Sequence, residues 1–314
     1  MRDRSSMADL FSDILKLANA QSVITGAFQA GGAWAFRFPA PDMIKFFGIV
    51  RGSCWLRVEG EAADLRLGPG DVFLLSAPRA FTLATSWELE PLDAVAVFRD
   101  CPGPVTRIGD GDDFQLLGGH VELGAGSGDL LTAVLPPMMV ARAGSPHAAM
   151  CHWVLAQLAQ ERSGEQPGAA VASEQLAHLL FIHILRAHLA QTSQFPAGWL
   201  RAITDRDLAP ALRLMHGEPG RAWQLTELAK AAGMSRTTFA TRFRSAAGVP
   251  PLTYLTQWRM RLAKRALVEG DTPVSTLAFT LGYTSESAFS HAFKRTTGLA
   301  PNRVRGVARG LPGE

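Results

Sequence analysis

The feature that most constrains this chain is an internal duplication in its last third. Two stretches of similar design lie one after the other. Leu225-Thr-Glu-Leu-Ala-Lys-Ala-Ala-Gly-Met-Ser235 runs on through Arg236 to Arg244, and Val274-Ser-Thr-Leu-Ala-Phe-Thr-Leu-Gly-Tyr-Thr-Ser285 runs on through Glu286 to Arg295. Ser235 falls on Ser285, Phe239 on Phe289, Phe243 on Phe293 and Gly248 on Gly298, an offset of fifty by subtraction. A repeat of this length is a structural unit used twice, and it outranks any single short motif.

Each copy spells a short helix, a sharp turn at Gly233 or Gly282, and a second helix capped by Ser235 or Ser285. A serine before a helix accepts a bond from an otherwise unpaired amide. Phenylalanines four apart, Phe239 with Phe243 and Phe289 with Phe293, share one face and point inward. The opposite face then carries Arg236, Thr237, Thr241 and Arg244 in the first copy, and Glu286, Ser287, Ser290, His291 and Lys294 in the second. Two helices joined by a short glycine turn, the second one polar, form the motif that reads DNA in the major groove. A single copy is as readily a plain helical hairpin; two matched copies in a basic segment favour DNA.

Charge supports that division. From Trp199 to Glu314 there are 17 Lys and Arg against 8 Asp and Glu, a net +9; residues 1–198 hold 14 against 20, a net −6. The C-terminal third is the part built to meet a polyanion. A chain of 314 residues suggests two domains. No apolar run suits a membrane span, and the first residues lack the apolar core of a signal peptide, with Met7 readable as the start. Cys54, Cys101 and Cys151 are scattered and odd in number, which fits a reducing cytoplasm and no zinc site.

The duplicated region strongly resembles the DNA-binding domain of AraC/XylS transcription regulators. The residues that carry this are Leu228-Ala229, Gly233-Met-Ser235, Phe239, Phe243, Gly248-Val-Pro250, Tyr254-Leu255 and Arg259-Met-Arg-Leu-Ala263. They continue with Ala278, Gly282-Tyr283, Ser287-Ala-Phe-Ser290, Phe293-Lys-Arg295 and Gly298-Leu-Ala-Pro301. The resemblance places Thr237, Ala240 and Thr241 toward the groove. Threonine can meet base edges or a thymine methyl. Arg236 either reads a base or clamps a phosphate. Glu286 either accepts from a cytosine amino group or answers the positive end of its own helix. His291, Ser287 and Ser290 face the groove by the same register, and Arg242, Arg244, Lys294 and Arg295 contact phosphates or close pairs within the domain. Arg259, Arg261, Lys264 and Arg265 lie on the helix between the copies, anchored by Leu255, Trp258 and Leu262, some of them available to Glu227 or Glu269.

The N-terminal part opens with an amphipathic helix, Asp9 to Ala18, with Leu10, Ile14 and Leu17 at helical spacing. From Ser22 to about Phe98 the period is that of short strands separated by Gly and Pro, which predicts a β-barrel or jelly roll. Gly26-Ala-Phe28, Trp34-Ala-Phe-Arg-Phe-Pro39, Arg51-Gly-Ser-Cys-Trp-Leu56 and Leu67-Gly-Pro-Gly-Asp71 resemble the cupin-like sensor half of some AraC regulators. The sequence departs from catalytic cupins: residues 1–119 contain no histidine, and Phe47 and Phe81 stand where many cupin strands offer one. A first-row metal needs converging imidazole or carboxylate ligands. The inward candidates are instead Phe36, Phe47, Cys54, Leu56, Phe73 and Phe81, a wall for an apolar or aromatic effector. A second long helix, Ser173 to Gln191, places Leu176, Leu179, Leu180 and His183 on a face suited to dimerisation; His178 and His183 read as structural.

The whole is read as α+β with two domains: residues 1–191, a cupin-like barrel with flanking helices that senses an effector and dimerises; a linker, 192–206; and 207–314, an all-α double helix–turn–helix. The resemblance implies a cytoplasmic homodimeric regulator, an activator like most relatives, with promoter DNA, RNA polymerase and an unknown small molecule as partners, no cofactor and no membrane. One rival is a metal-dependent cupin enzyme fused to a DNA-binding tail; it lacks the histidine cluster. Another is a methyl-accepting repair protein, which needs a cysteine cluster absent here.

Overall fold

The computed structural model describes residues 9–99, 105–124, 129–132, 135–144, 149–163, 166–192 and 195–308. Its contacts separate into two compact units. One comprises Gln21–Glu122 and Leu135–Ser193; the other comprises Met1–Ala20, Leu123–Val134 and Gln194–Glu314. Among the described residues no helix is long and apolar enough to cross a membrane.

The first unit holds strands β1 (Gln21–Ala30), β2 (Ala35–Phe38), β3 (Ile44–Arg51), β4 (Cys54–Val58), β5 (Leu65–Leu67), β6 (Val72–Leu75), β7 (Phe81–Ala84), β8 (Leu92–Asp93), β9 (Val105–Ile108), β10 (Phe114–Glu122) and β11 (Met138–Ala141). They form two sheets, ordered β11-β6-β3-β10-β1-β9 and β5-β4-β7-β2-β8. The closed barrel expected from the strand pattern is therefore corrected. A barrel needs a ladder that returns to its first strand, and among the described residues neither ladder does. The chain leaves one sheet for the other between β3 and β4, across Gly52 and Ser53, with Gly52 at φ 77°. Edge strands β5, β8 and β9 are two to four residues long, which limits the edge offered to other chains.

Between the sheets lies an aromatic core. Phe36, Phe47, Cys54, Leu56, Phe73 and Phe81 all belong to it, with Phe28, Trp34 and Leu83. Helices α2 (Ala94–Arg99), α4 (Ala149–Ser163) and α5 (Ala169–Gln191) complete the unit. The outer face of the larger sheet is covered by α4 and α5, which is why β6 is buried on both faces. Contact is close at Gly48, where any Cβ would run into the Leu155 side chain. On α5 the buried set is Ala177, Leu180, Phe181, Ile184, Leu185 and Ala187. That arc is wider than the stripe read from the sequence, because α5 is pinned between the sheet and α4. On α4 the buried residues are Cys151, Val154, Leu155 and Leu158, while Met150 and Trp153 are exposed.

The second unit is helical: α1 (Asp9–Ala18), α3 (Asp129–Thr132), α6 (Trp199–Thr204), α7 (Ala209–Gly217), α8 (Leu225–Ala231), α9 (Arg236–Ala247), α10 (Pro251–Glu269), α11 (Val274–Thr280), α12 (Glu286–Thr297) and α13 (Pro301–Ala308). Helix α1 forms where its apolar spacing predicts, and buries Leu10, Ile14 and Leu17. It packs that stripe on α3, α7 and α10, within the helical unit. Helix α6 occupies part of the stretch read as linker.

Candidate nucleic-acid interface

The two copies fold as their sequences dictate. In each turn a glycine takes positive φ, 66° at Gly233 and 81° at Gly282, and the amides after the first helix close back onto it: Met234 donates to Ala229 and Tyr283 to Ala278, at 2.9 and 3.0 Å. Those pairs are 49 apart, whereas the second helices pair at 50. The extra residue, Thr284, lies in the second turn. Ser235 Oγ accepts from the Thr238 amide and Ser285 Oγ from the Ala288 amide, both at 3.2 Å. Both second helices end on a glycine in the left-handed region, Gly248 and Gly298. Phe239, Phe243, Phe289 and Phe293 are fully buried, and each pair of rings stands 5.6 or 5.7 Å apart.

With the apolar face fixed, the polar face follows. On α9, Arg236, Thr237, Thr241, Arg242 and Arg244 are exposed and Ala240 is half-buried. On α12, Glu286, Ser287, His291, Lys294 and Arg295 are exposed and Ser290 is half-buried. Positions 236, 237, 240, 241 and 244 thus share their exposure with 286, 287, 290, 291 and 294.

Among the cations, Arg242 is engaged. Its Nε lies 3.0 Å from Asp205 Oδ2 and its Nη2 2.7 Å from Asp207 Oδ2, so it clamps α9 to the loop before α7. Burial opposes the ionisation of Asp205, but the Arg242 guanidinium and the amides of Asp207 and Leu208 outweigh it and hold that carboxyl below its usual range. Arg236, Arg244 and Lys294 have no carboxylate partner among the described residues. On α10, Trp258 and Leu255 are buried and Leu262 is half-buried. Arg259 donates to the carbonyls of Pro219 and Arg221, at 2.5 and 2.8 Å, and holds the loop that precedes α8. Arg265 pairs with Glu269 at 2.8 Å, while Glu227 is taken by Arg221. That loop also touches the second turn: a Cβ at Gly282 would overlap the Gly220 carbonyl. No local pattern in the sequence joins 205 to 242 or 220 to 282.

In the sheet unit, a cavity of about 380 Å³ opens between the sheets, lined by Thr25, Gly26, Ala27, Phe28, Phe38, Phe47, Phe98, Thr106, Leu116 and Gly118. Of the six residues read as an effector wall, Phe47 lines it; Phe36, Cys54, Leu56, Phe73 and Phe81 fill the core beside it. The opening arises at a cross-strand pair without side chains, Gly26 opposite Gly118, beside the bulge in β1. Burial, then nearby Asp71, pushes the Cys54 thiol up to about 12, and burial pushes Cys151 up to about 11, so neither is a poised nucleophile. Cys101 lies outside the described residues. Burial lowers the pKa of His178 and His183, and no group of three metal-ligating side chains occurs among the described residues.

A cupin family model matches residues 9–190 and a helix-turn-helix domain model matches 228–306. An AraC-like transcription regulator from Streptomyces antibioticus is 40% identical over 95% of this chain and 98% of its own length. The chain belongs to the AraC family of transcription regulators. A second such protein, from Streptomyces lividans, is 39% identical over the same shares. Among solved structures, the DNA-binding domain of AdpA in complex with a target DNA is 32% identical over 33% of this chain and 94% of that one, with a TM-score of 0.31. As a member of the AraC family the protein is a sequence-specific DNA-binding regulator, and α9 and α12 are its candidate readers.

Proposed function

We propose that this regulator is a homodimeric activator whose α9 and α12 enter successive major grooves, and whose sheet unit senses a small neutral effector. Sensing and dimerisation lie within 1–191, a connection at 192–206, and reading within 207–314. The observation that carries the reading is the matched exposure of the two helices: the same helical positions are presented twice, on one unit, in the most basic part of the chain. Thr237, Ala240 and Thr241 on α9, and Ser287, Ser290 and His291 on α12, meet base edges. Arg236, Arg244, Lys294 and Arg295 meet phosphates, and Glu286 sits at the positive end of α12. Both helices should protect grooves about 10 bp apart on one face of a duplex.

The test separates the cations. Arg244→Gln and Lys294→Gln should each weaken binding to all duplexes alike and reduce the salt slope by about 1. Arg242→Gln should leave the slope nearly unchanged, since that charge is already paired. Equal slopes for all three variants and the parent would sink the assignment.

Effector binding is supported by the cavity. Its walls are rings and methyl groups with two threonines, one of which, Thr25, donates to the Gly118 carbonyl at 3.3 Å. With no charged side chain among the described lining residues, it suits an apolar or aromatic neutral molecule. The neutral fluorophore N-phenyl-1-naphthylamine is the probe of choice. For the dimer, Leu180 is spent inside the unit, whereas Leu176, Leu179 and His183 are half-buried on α5. Leu176→Asp with Leu179→Asp should give monomers in sedimentation; an unchanged dimer would refute this face. Activation through RNA polymerase is the expected output.

A further inference from the structure

A line of contacts runs from the first helix of the chain to a reading helix. His216, on α7, is buried, its side chain 1% exposed. Its ring stacks on Trp258 of α10 at 3.8 Å. Its Nε2 lies 2.9 Å from the Tyr254 hydroxyl, also on α10. Tyr254 in turn stands edge-on to Phe243 of α9, with ring centroids 5.4 Å apart. On the other side, Asp13 of α1 brings its carboxylate within 3.4 Å of His216 Nδ1. That contact is long and off line, and Nδ1 has no well-aligned bond among the described residues. A neutral ring protonated on Nδ1 suits both neighbours, pointing its proton toward Asp13 and accepting from Tyr254.

We propose that Asp13 and His216 are positioning residues for DNA reading, through which α1 fixes how α9 is held. The cupin model includes α1, yet its apolar stripe and its carboxylate are both committed to the helical unit. Removing Asp13 leaves a buried imidazole nitrogen facing nothing, a cost the site can relieve by shifting His216 and Tyr254. Phe243 rests on Tyr254, so the shift reaches the reading helix. The groups facing His216 are Asp13 from α1 and Tyr254, Trp258 and Arg261 from α10. Burial, with Arg261, depresses the pKa of His216 and outweighs Asp13, so the neutral ring is the form the packing holds. Because the folded-state pKa lies below the ordinary histidine value, the stabilisation is full above that range and is lost as pH falls below it, through the depressed value at which the buried ring takes its proton.

The inference rests on α9 being a reading helix, so the experiment includes a control for that. Full-length protein is titrated against a duplex it selected from a random pool and against a scrambled duplex of equal length. Thr241→Ala should change base preference; if it does not, the reading assignment fails rather than the positioning one. Asp13→Ala should lower the selected-to-scrambled ratio about tenfold, the scale of leaving one buried polar group with no counter-group. Asp13→Asn, which keeps an acceptor for Nδ1–H, should recover most of it. On acidification from pH 7.5 the wild-type ratio should hold through the ordinary histidine range and fall below it, and His216→Gln should flatten that fall; any effect of other groups is common to both proteins. The proposal is overturned if both Asp13 variants keep the wild-type ratio within twofold, or if Asp13→Ala weakens both duplexes by one factor. Should Asp13→Ala fail to fold, the pH profiles decide, and a His216→Gln profile identical to wild type overturns it.

Discussion

Gly282→Ala is expected to abolish DNA binding by unfolding the helical unit, at temperatures where the sheet unit stays folded. Two costs add. The residue sits at φ 81°, where an L side chain costs roughly 1–2 kcal/mol. The new Cβ would also overlap the Gly220 carbonyl, and backbone cannot rotate away as a side chain can; forced overpacking costs about 1–3 kcal/mol more. The sum is a large share of the roughly 5–15 kcal/mol that holds a domain together. Gly233→Ala is the matched control. It too has positive φ, 66°, but nothing lies within 4 Å of its Cβ, so only the conformational part of the cost remains. Thermal unfolding of both variants, followed by DNA binding, checks this. Similar small losses would mean that the two turns do not differ and that the Gly220–Gly282 crossing does not hold the repeats together.

The contrast between those glycines shows what the sequence could and could not say. Helices, turns, caps and inward rings of both copies were legible because each depends on residues within one or two turns of the chain: Ser235 on Thr238, Phe239 on Phe243, Gly233 on its own φ. The extra Thr284 was legible as well, in the longer Gly282-to-Ser285 spacing, but the crossing at Gly220 was not, since it depends on how the two copies meet. The sheets show the same division. Apolar runs such as Val72–Leu75 announced buried strands, but a ladder that closes and a ladder that stops have the same local pattern. Only the pairing of strands far apart in the chain, such as Gln21 with Glu122, distinguishes a barrel from two open sheets.

Candidate site residues divide likewise. The polar faces of α9 and α12 follow from helix period once the phenylalanines are placed, so those positions needed no structure. Arg242 has the sequence context of its neighbours, and its engagement with Asp205 is a contact across 37 residues. In the sheet unit the strand pattern points to Phe36, Phe47, Cys54, Leu56, Phe73 and Phe81 as a cavity wall. Phe36, Phe73 and Phe81 are too well packed for that; they fill space. The cavity lies where side chains are missing, at Gly26 and Gly118, and a missing side chain becomes a hole only when the register brings two together.

That origin of the cavity gives the second large effect. Gly26→Leu should close the cavity and lower N-phenyl-1-naphthylamine affinity at least about tenfold, the loss of 1.4 kcal/mol or more. A Cβ at Gly26 meets nothing within 4 Å, and its φ is not positive, so the substitution enters open space without backbone strain. Glycine inside a strand is itself a weakness of roughly 0.5–1 kcal/mol relative to alanine, and leucine adds apolar burial. The sheet unit should therefore melt no lower than the parent while losing the probe. Stability and binding then move in opposite directions, which a variant that merely damaged the fold could not do. Gly118 is unsuited to the same purpose, because its Cβ would press on the Phe47 ring at 3.1 Å. Fluorescence titration of the purified full chain reads the affinity and calorimetry reads the melt. Unchanged probe binding in a folded Gly26→Leu protein would show that the cavity is not where a neutral apolar ligand sits. Retained binding in Gly26→Leu but not in Phe47→Ala would place it against the Phe47 side instead.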